Sequence, residues 1–230
     1  MLKRFQLLFT KQEDGKLYNN QNESVQSWNT FTKPQSSYSQ ESIIQQQQQV
    51  DQHVQAGIEH HELGQLEKAT HYFRLAAKQE CPIGMFLYGI SLRHGWGCKL
   101  NTCLAFQYLQ TAAEYAVHDM LNGLASNGEL IIAIYELGVS FQQGWGVTKN
   151  KETAFYYFEI AANLGDLDAM NDLAFCYTHG HGVKKNIFKA AQYYRMASKQ
   201  GNVQIGNSWI WKDKYNIVDE PGWDKKLCIK

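Results

Sequence analysis

Histidine and cysteine are the residues of this chain best suited to chemistry near neutral pH, so their spacing is tested first. Eight histidines occur in 230 residues, and His60, His61, His94, His179 and His181 are the ones placed to act as metal ligands or acid/base groups. His60 and His61 are adjacent and face different directions on a helix, and no Cys or carboxylate recurs beside them at ligand spacing. His179 and His181 bracket Gly180, where the equivalent turns carry Gln143 with Trp145 and His94 with Trp96. That alternation supplies no converging partner, and the imidazoles read as solvated turn residues. The rival reading is a hydrolase or metal-dependent enzyme using His94, His179 or His181.

The five cysteines, Cys81, Cys98, Cys103, Cys176 and Cys228, contain no CxxC pair. Their odd number and scattered spacing argue against a disulfide framework and against a zinc site, and fit a reducing compartment. Around Cys98 and Cys103 only Lys99 is placed to lower a thiol pKa, so both read as structural. No Ser-His-Asp set, carboxylate pair or nucleotide fingerprint stands out, so no catalytic residue, cofactor or metal is assigned.

The remaining composition concerns partners. Lys plus Arg (22) balance Asp plus Glu (22) and the formal net charge is zero, which lacks the basic footprint of a nucleic-acid binder. No apolar run approaches the ~18 residues of a membrane span, and the opening Met1 to Phe9 is too short for a secretory core with a cleavage site. The expected compartment is the cytoplasm, compatible with recruitment to the nucleus or cell cortex.

The elements that would position any site come from self-similarity. Residues 1–50 are rich in Gln, Ser and Asn, with Gln45 to Gln49 an unbroken run, and read as a disordered tail. Beyond them four segments align on Ala69, Ala105, Ala154 and Ala190, at intervals of 36, 49 and 36. Counting from that alanine, apolar or small residues fill offsets 0, +3, +4, +7 and +8, one face of a helix. Upstream of the last three copies a second pattern runs small, apolar, small, bulky at offsets 0, +4, +5 and +8, starting at Gly84, Ala133 and Ala169. Each ends in a Gly-x-Gly turn: Gly95-Trp96-Gly97, Gly144-Trp145-Gly146 and Gly180-His181-Gly182. Paired glycines suit a left-handed cap and tight reversal, whereas a phosphate cradle requires a preceding strand.

This unit of helix, Gly-x-Gly turn and Ala-x-x-Tyr helix resembles the Sel1-like repeat, a tetratricopeptide-related module. The resemblance covers residues 51–202; the first copy departs, having Gly64-Gln65-Leu66-Glu67 in place of Gly-x-Gly. The wording Leu92-Arg93-His94-Gly95-Trp96-Gly97-Cys98 and the closing Gly206-Asn207-Ser208-Trp209-Ile210-Trp211 are similar to a fungal subgroup that includes a mitosis inhibitor interacting with a Nim-type kinase. The resemblance implies an all-α, right-handed α/α-superhelical solenoid and a non-catalytic protein-protein interaction scaffold. Its implied partner is a protein kinase controlling mitotic entry or, alternatively, a cell-wall or septation factor of the chitin synthase activator kind.

The expected organisation is a tail (1–50), repeats at 51–81, 82–117, 131–166 and 167–202 with an insertion at 118–130, and a cap at 203–230 whose Trp209, Trp211 and Tyr215 cover the last repeat. If offsets 0, +4, +5 and +8 of each first helix face the core, then +2, +6 and +9 lie opposite and line the concave groove. Those positions are Phe86, Ile90 and Arg93; Tyr135, Val139 and Gln142; Asn171, Phe175 and Thr178. Aromatic and Arg side chains there suit anchoring of a peptide, and suit equally packing against the neighbouring repeat.

Overall fold

The computed structural model describes residues 40–122 and 128–223. The tail reading for residues 1–39, the loop residues Ala125 to Asn127 and Cys228 lie outside them. Among the described residues there are eight α-helices, two 3₁₀ segments and no strand. The helices are α1 (Gln40–Glu62), α2 (Leu66–Lys78), α3 (Pro82–His94), α4 (Thr102–Leu121), α5 (Gly128–Gln143), α6 (Lys151–Asn163), α7 (Leu167–His179) and α8 (Ile187–Lys199). This is an all-α solenoid of helix pairs. It divides into two compact units, one ending at Leu130 and the other beginning at Ile131, each described by itself.

One size rule recurs in every pair. The small residue at offset +5 of the first helix faces the bulky residue at +4 of the second. A Cβ on Gly89 would meet Leu109 at 3.0 Å, and one on Gly138 would meet the Phe158 ring at 2.8 Å. Ala174 packs with Tyr194 in the last pair, and in the first pair Gly57 lies against the Phe73 ring. The second-helix alanines at offset 0 (Ala69, Ala105, Ala154, Ala190) are all buried, as are Phe73, Leu109, Phe158 and Tyr194 at +4. The tyrosines at +3 differ: all four are half-buried at the rim. There Tyr108, Tyr157 and Tyr193 stack or edge onto Tyr88, Phe141 and Tyr177 of their partner helices, at centroid distances of 5.0, 5.6 and 6.1 Å.

The Gly-x-Gly turns do two jobs. Gly95, Gly144 and Gly180 take left-handed φ of 71°, 77° and 74°, and the residue after each donates back to Ser91, Ser140 or Cys176 at 3.0 Å, closing the helix end. The second glycine meets the preceding helix pair: Gly97 lies on the Leu66 carbonyl at the start of α2, and Gly182 on the Lys151 carbonyl at the start of α6. Trp96 reaches backwards, its carbonyl accepting from Thr70 Oγ1 and its ring lying 5.7 Å from His61.

Asparagine starts the second helices: Asn101, Asn150 and Asn186 accept from the backbone N–H groups of Leu104, Thr153 and Lys189 at 3.0, 2.9 and 3.0 Å. The first helices α3 and α7 are capped instead by Cys81 Sγ and Asp166 Oδ1, accepting from Gly84 and Ala169.

Two element boundaries differ from expectation. α1 begins at Gln40, so the glutamine run assigned to the disordered tail is helical. Glutamine is a good helix former, and Val50 anchors the segment by burying against Ala76 and Cys81. Within the insertion at 118–130, residues 118–121 lengthen α4 and residues 128–130 open α5, which have 20 and 16 residues where α2, α3, α6, α7 and α8 have 13.

After α8 the chain folds back in two 3₁₀ segments, Ser208–Trp211 and Asp213–Asp219. Ile210 and Tyr215 bury against Ala191 and Tyr194, and Trp209 edges onto Tyr215 at 5.3 Å. Trp211 is half-exposed, its ring 4.9 Å beneath the Arg195 guanidinium.

Candidate protein-binding face

The nine expected groove positions do not share one environment. Phe86, Ile90 and Arg93 on α3 are buried, with exposures of 1%, 4% and 4%, because α3 is apolar nearly all round and has no solvated stripe to spare. Val139 and Asn171 are also buried. Tyr135, Gln142, Phe175 and Thr178 remain half-exposed, all in the second unit.

Tyr135 is engaged from two sides, its ring 5.6 Å from Phe158 and its hydroxyl donating to Asp172 Oδ2 at 2.9 Å. Thr178 Oγ1 donates to the Ala174 carbonyl one turn back at 2.8 Å. Phe175 is the aromatic step of α7: its centroid lies 4.1 Å from the His179 ring and 5.2 Å from the His181 ring, and the two imidazoles are 5.8 Å apart. The turn histidines thus form an aromatic cluster with Phe175, a link that sequence spacing alone left unseen. His179 Nδ1 donates to the Phe175 carbonyl at 3.0 Å. Burial and then the cations Lys151 and Lys185, with His179, hold the His181 imidazole below its ordinary range.

Asn171, one turn before Phe175 on the same face, is 4% exposed, and neither its amide oxygen nor its amide nitrogen finds a hydrogen-bond partner among the described residues. Its +2 position gave it a place on this face, but nothing in its sequence context marked it as orphaned.

Several of the other chemically capable side chains are occupied structurally. His94 stacks on Trp96 at 4.9 Å, and His60 on Tyr72 at 5.4 Å. Burial pushes the Cys81 thiol up to about 11 and the Cys176 thiol, beside Asp172, up to about 12, so neither is a ready nucleophile. Cys98 is half-buried with its thiol also raised by burial, and Cys103 is exposed. Among the described residues no three His, Cys, Asp or Glu side chains converge as a metal site requires. No described helix is long and apolar enough to cross a membrane.

The Sel1 repeat matches residues 60–81, 82–114, 131–166 and 167–202, more than half of the chain. The chain belongs to the Sel1 repeat family. Sel1 repeats generally serve as protein-interaction scaffolds. Two fungal relatives carry similar sequence. Protein DSF2 of Saccharomyces cerevisiae is 26% identical over 181 residues, covering 71% of this chain and 25% of its own length. Mitosis inhibitor nif1 of Schizosaccharomyces pombe is 27% identical over 200 residues, covering 77% of this chain and 29% of its own. The Sel1 chain described here therefore spans under a third of either relative. Among solved structures, the protective antigen c5321 of uropathogenic Escherichia coli, described as having an SLR fold, superposes with a TM-score of 0.57 at 24% identity over 72% of this chain and 34% of that one.

Proposed function

We propose that this protein is a non-catalytic adaptor that captures a partner protein on the α7 face of its second unit, with Phe175 as the anchor and Tyr135, Gln142 and Thr178 beside it. The observation that carries the reading is Phe175: a half-buried aromatic on α7 with Tyr135 as the other aromatic left partly open on this face, its ring flanked by the His179 and His181 imidazoles of the following turn. Aromatic anchors of this kind dominate binding energy at protein interfaces. The similarity to a mitosis inhibitor supports a role in cell-cycle control, and a cell-cycle kinase is the partner class proposed, met in the cytoplasm or on recruitment to the nucleus.

The test is affinity capture from fungal cells with the wild-type chain and with Phe175→Ala, accompanied by circular dichroism. A kinase retained by the first and lost by an equally helical second supports the proposal. Recovery of a septation or cell-wall factor instead moves the pathway while keeping the adaptor role. Turnover of a hydrolase substrate that disappears in His94→Ala or His181→Ala overturns it.

A further inference from the structure

Two independent features of the second unit meet on α7. The first is the Asn171 amide, buried with two donors and an acceptor unspent. A buried amide without partners is destabilising, and it has no hydrogen bond to give up when its side chain turns toward a ligand. A peptide backbone offers a matching N–H and C=O pair. The second is charge. The turn edges at 147–152 and 183–187 carry Lys149, Lys151, Lys184 and Lys185 against the single acid Glu152, in a chain of zero net charge. The geometry brings Lys151 and Lys185 to the histidine turn, where Gly182 lies on the Lys151 backbone and the Lys185 stem runs 3.0 Å from where a Gly180 Cβ would stand. Asp172, the acid next to Asn171, accepts from Tyr135.

We propose that the second unit binds an extended acidic peptide along α7, its backbone paired with the Asn171 amide, an apolar side chain on Phe175, and its carboxylates at His181, Lys151 and Lys185. The proposal rests on the adaptor reading above and names the chemistry of what is captured. Lysines around the imidazoles disfavour a cation there and favour an anion, while the Phe175 step requires an apolar side chain between the acidic ones.

The full chain is titrated into a fluorescein-labelled decapeptide alternating Glu and Leu, followed by fluorescence anisotropy, and into its Gln/Leu counterpart. The acidic peptide binds at least tenfold more tightly, and the advantage shrinks as salt rises. Lys151→Gln with Lys185→Gln, both on exposed side chains, weakens binding at least fivefold at unchanged melting temperature. Asn171→Leu removes an orphaned polar group, so it melts at the same or a higher temperature while binding at least tenfold more weakly.

Failure of the acidic peptide to bind, equal binding of the two peptides, unchanged binding by Asn171→Leu, or a lowered melting temperature of that variant each overturn the inference. Equal capture of an oligonucleotide of the same charge also overturns it, since a bare cationic patch then suffices. If the peptide fails while Phe175-dependent partner capture persists, the adaptor reading stands and this one falls.

Discussion

Arg195 and Asp219, 24 residues apart, join the last helix of the solenoid to the chain that folds back over it. The guanidinium is 2% exposed and donates through Nη1 to the Asp219 carboxylate, while Nε and Nη2 reach the Ile210 carbonyl at 2.9 and 2.6 Å and Nη2 also reaches Asn216 Oδ1 at 3.1 Å. Asp219 is 42% exposed, so its ion pair contributes little by itself. The weight lies in the buried guanidinium, whose removal strands the Ile210 carbonyl and uncovers Trp211. Arg195→Ala should therefore cost about 3 kcal/mol in chemical denaturation and open the 208–219 segment to protease. Arg195→Lys should recover little, because a single ammonium cannot reproduce the planar fork.

The pH dependence of the same contact follows from Asp219. Hydrogen bonds from Lys199 and Arg195 hold its carboxyl below the ordinary carboxylate range. A carboxylate with a depressed folded pKa adds stability that is present above its unfolded pKa of about 3.9 and is lost as pH falls through the lower folded value. Wild type and Asp219→Asn should differ in melting temperature at pH 6, and the difference should narrow progressively as pH falls below about 4. A difference that stays constant as the pH is lowered through the acid range excludes the ionised contact as its source.

Glycine in a helix interior is ordinarily replaced by alanine with a gain of roughly 0.5–1 kcal/mol. At Gly138 the sign reverses, since the new Cβ would stand 2.8 Å from the Phe158 ring, itself fully buried. Gly138→Ala should destabilise by about 1–3 kcal/mol. Adding Phe158→Leu should restore part of the loss, because the equivalent Gly89 and Leu109 meet at a looser 3.0 Å. Thermal melts of the two single variants and the double form a mutant cycle with a coupling of opposite sign to the Gly138→Ala effect.

What sequence pattern made legible here was whatever repeats. Period, helix pairing, turn glycines and the alternation of alanine with bulky residues recur three or four times, and stacking requires the same sizes at the same offsets in each copy. Exposure at a single offset does not repeat. Offset +2 is buried at Phe86, half-exposed at Tyr135 and buried without partners at Asn171, because its surroundings come from other helices rather than from its own. Arg195 sits at offset +5 of its helix, outside the apolar set, and its partners Ile210, Asn216 and Asp219 lie beyond the last repeat, so the repeat pattern carries no sign of its burial. The ring cluster of Phe175, His179 and His181 was equally hidden, although a helix residue four before a turn histidine is within ring contact by geometry alone.

The cysteines give a direct measure of which faces are sealed. With Cys228 changed to Ser, the native protein retains Cys103 as its exposed thiol, Cys98 half-buried, and Cys81 and Cys176 buried at 3% and 2% exposure. Thiolate is the reactive form, and burial has raised the last two to about 11 and about 12. Treatment with a thiol-exchange reagent at pH 8 should modify Cys103 rapidly and Cys98 more slowly. Cys81 and Cys176 should react only as fast as their helices open, and denaturant should release all four together. Because Cys176 is buried on α7, the helix that carries Phe175, its rate also reports on the opening of that helix. Rapid native labelling at Cys176 would show that α7 opens readily, and slow labelling that a partner meets a preformed helix.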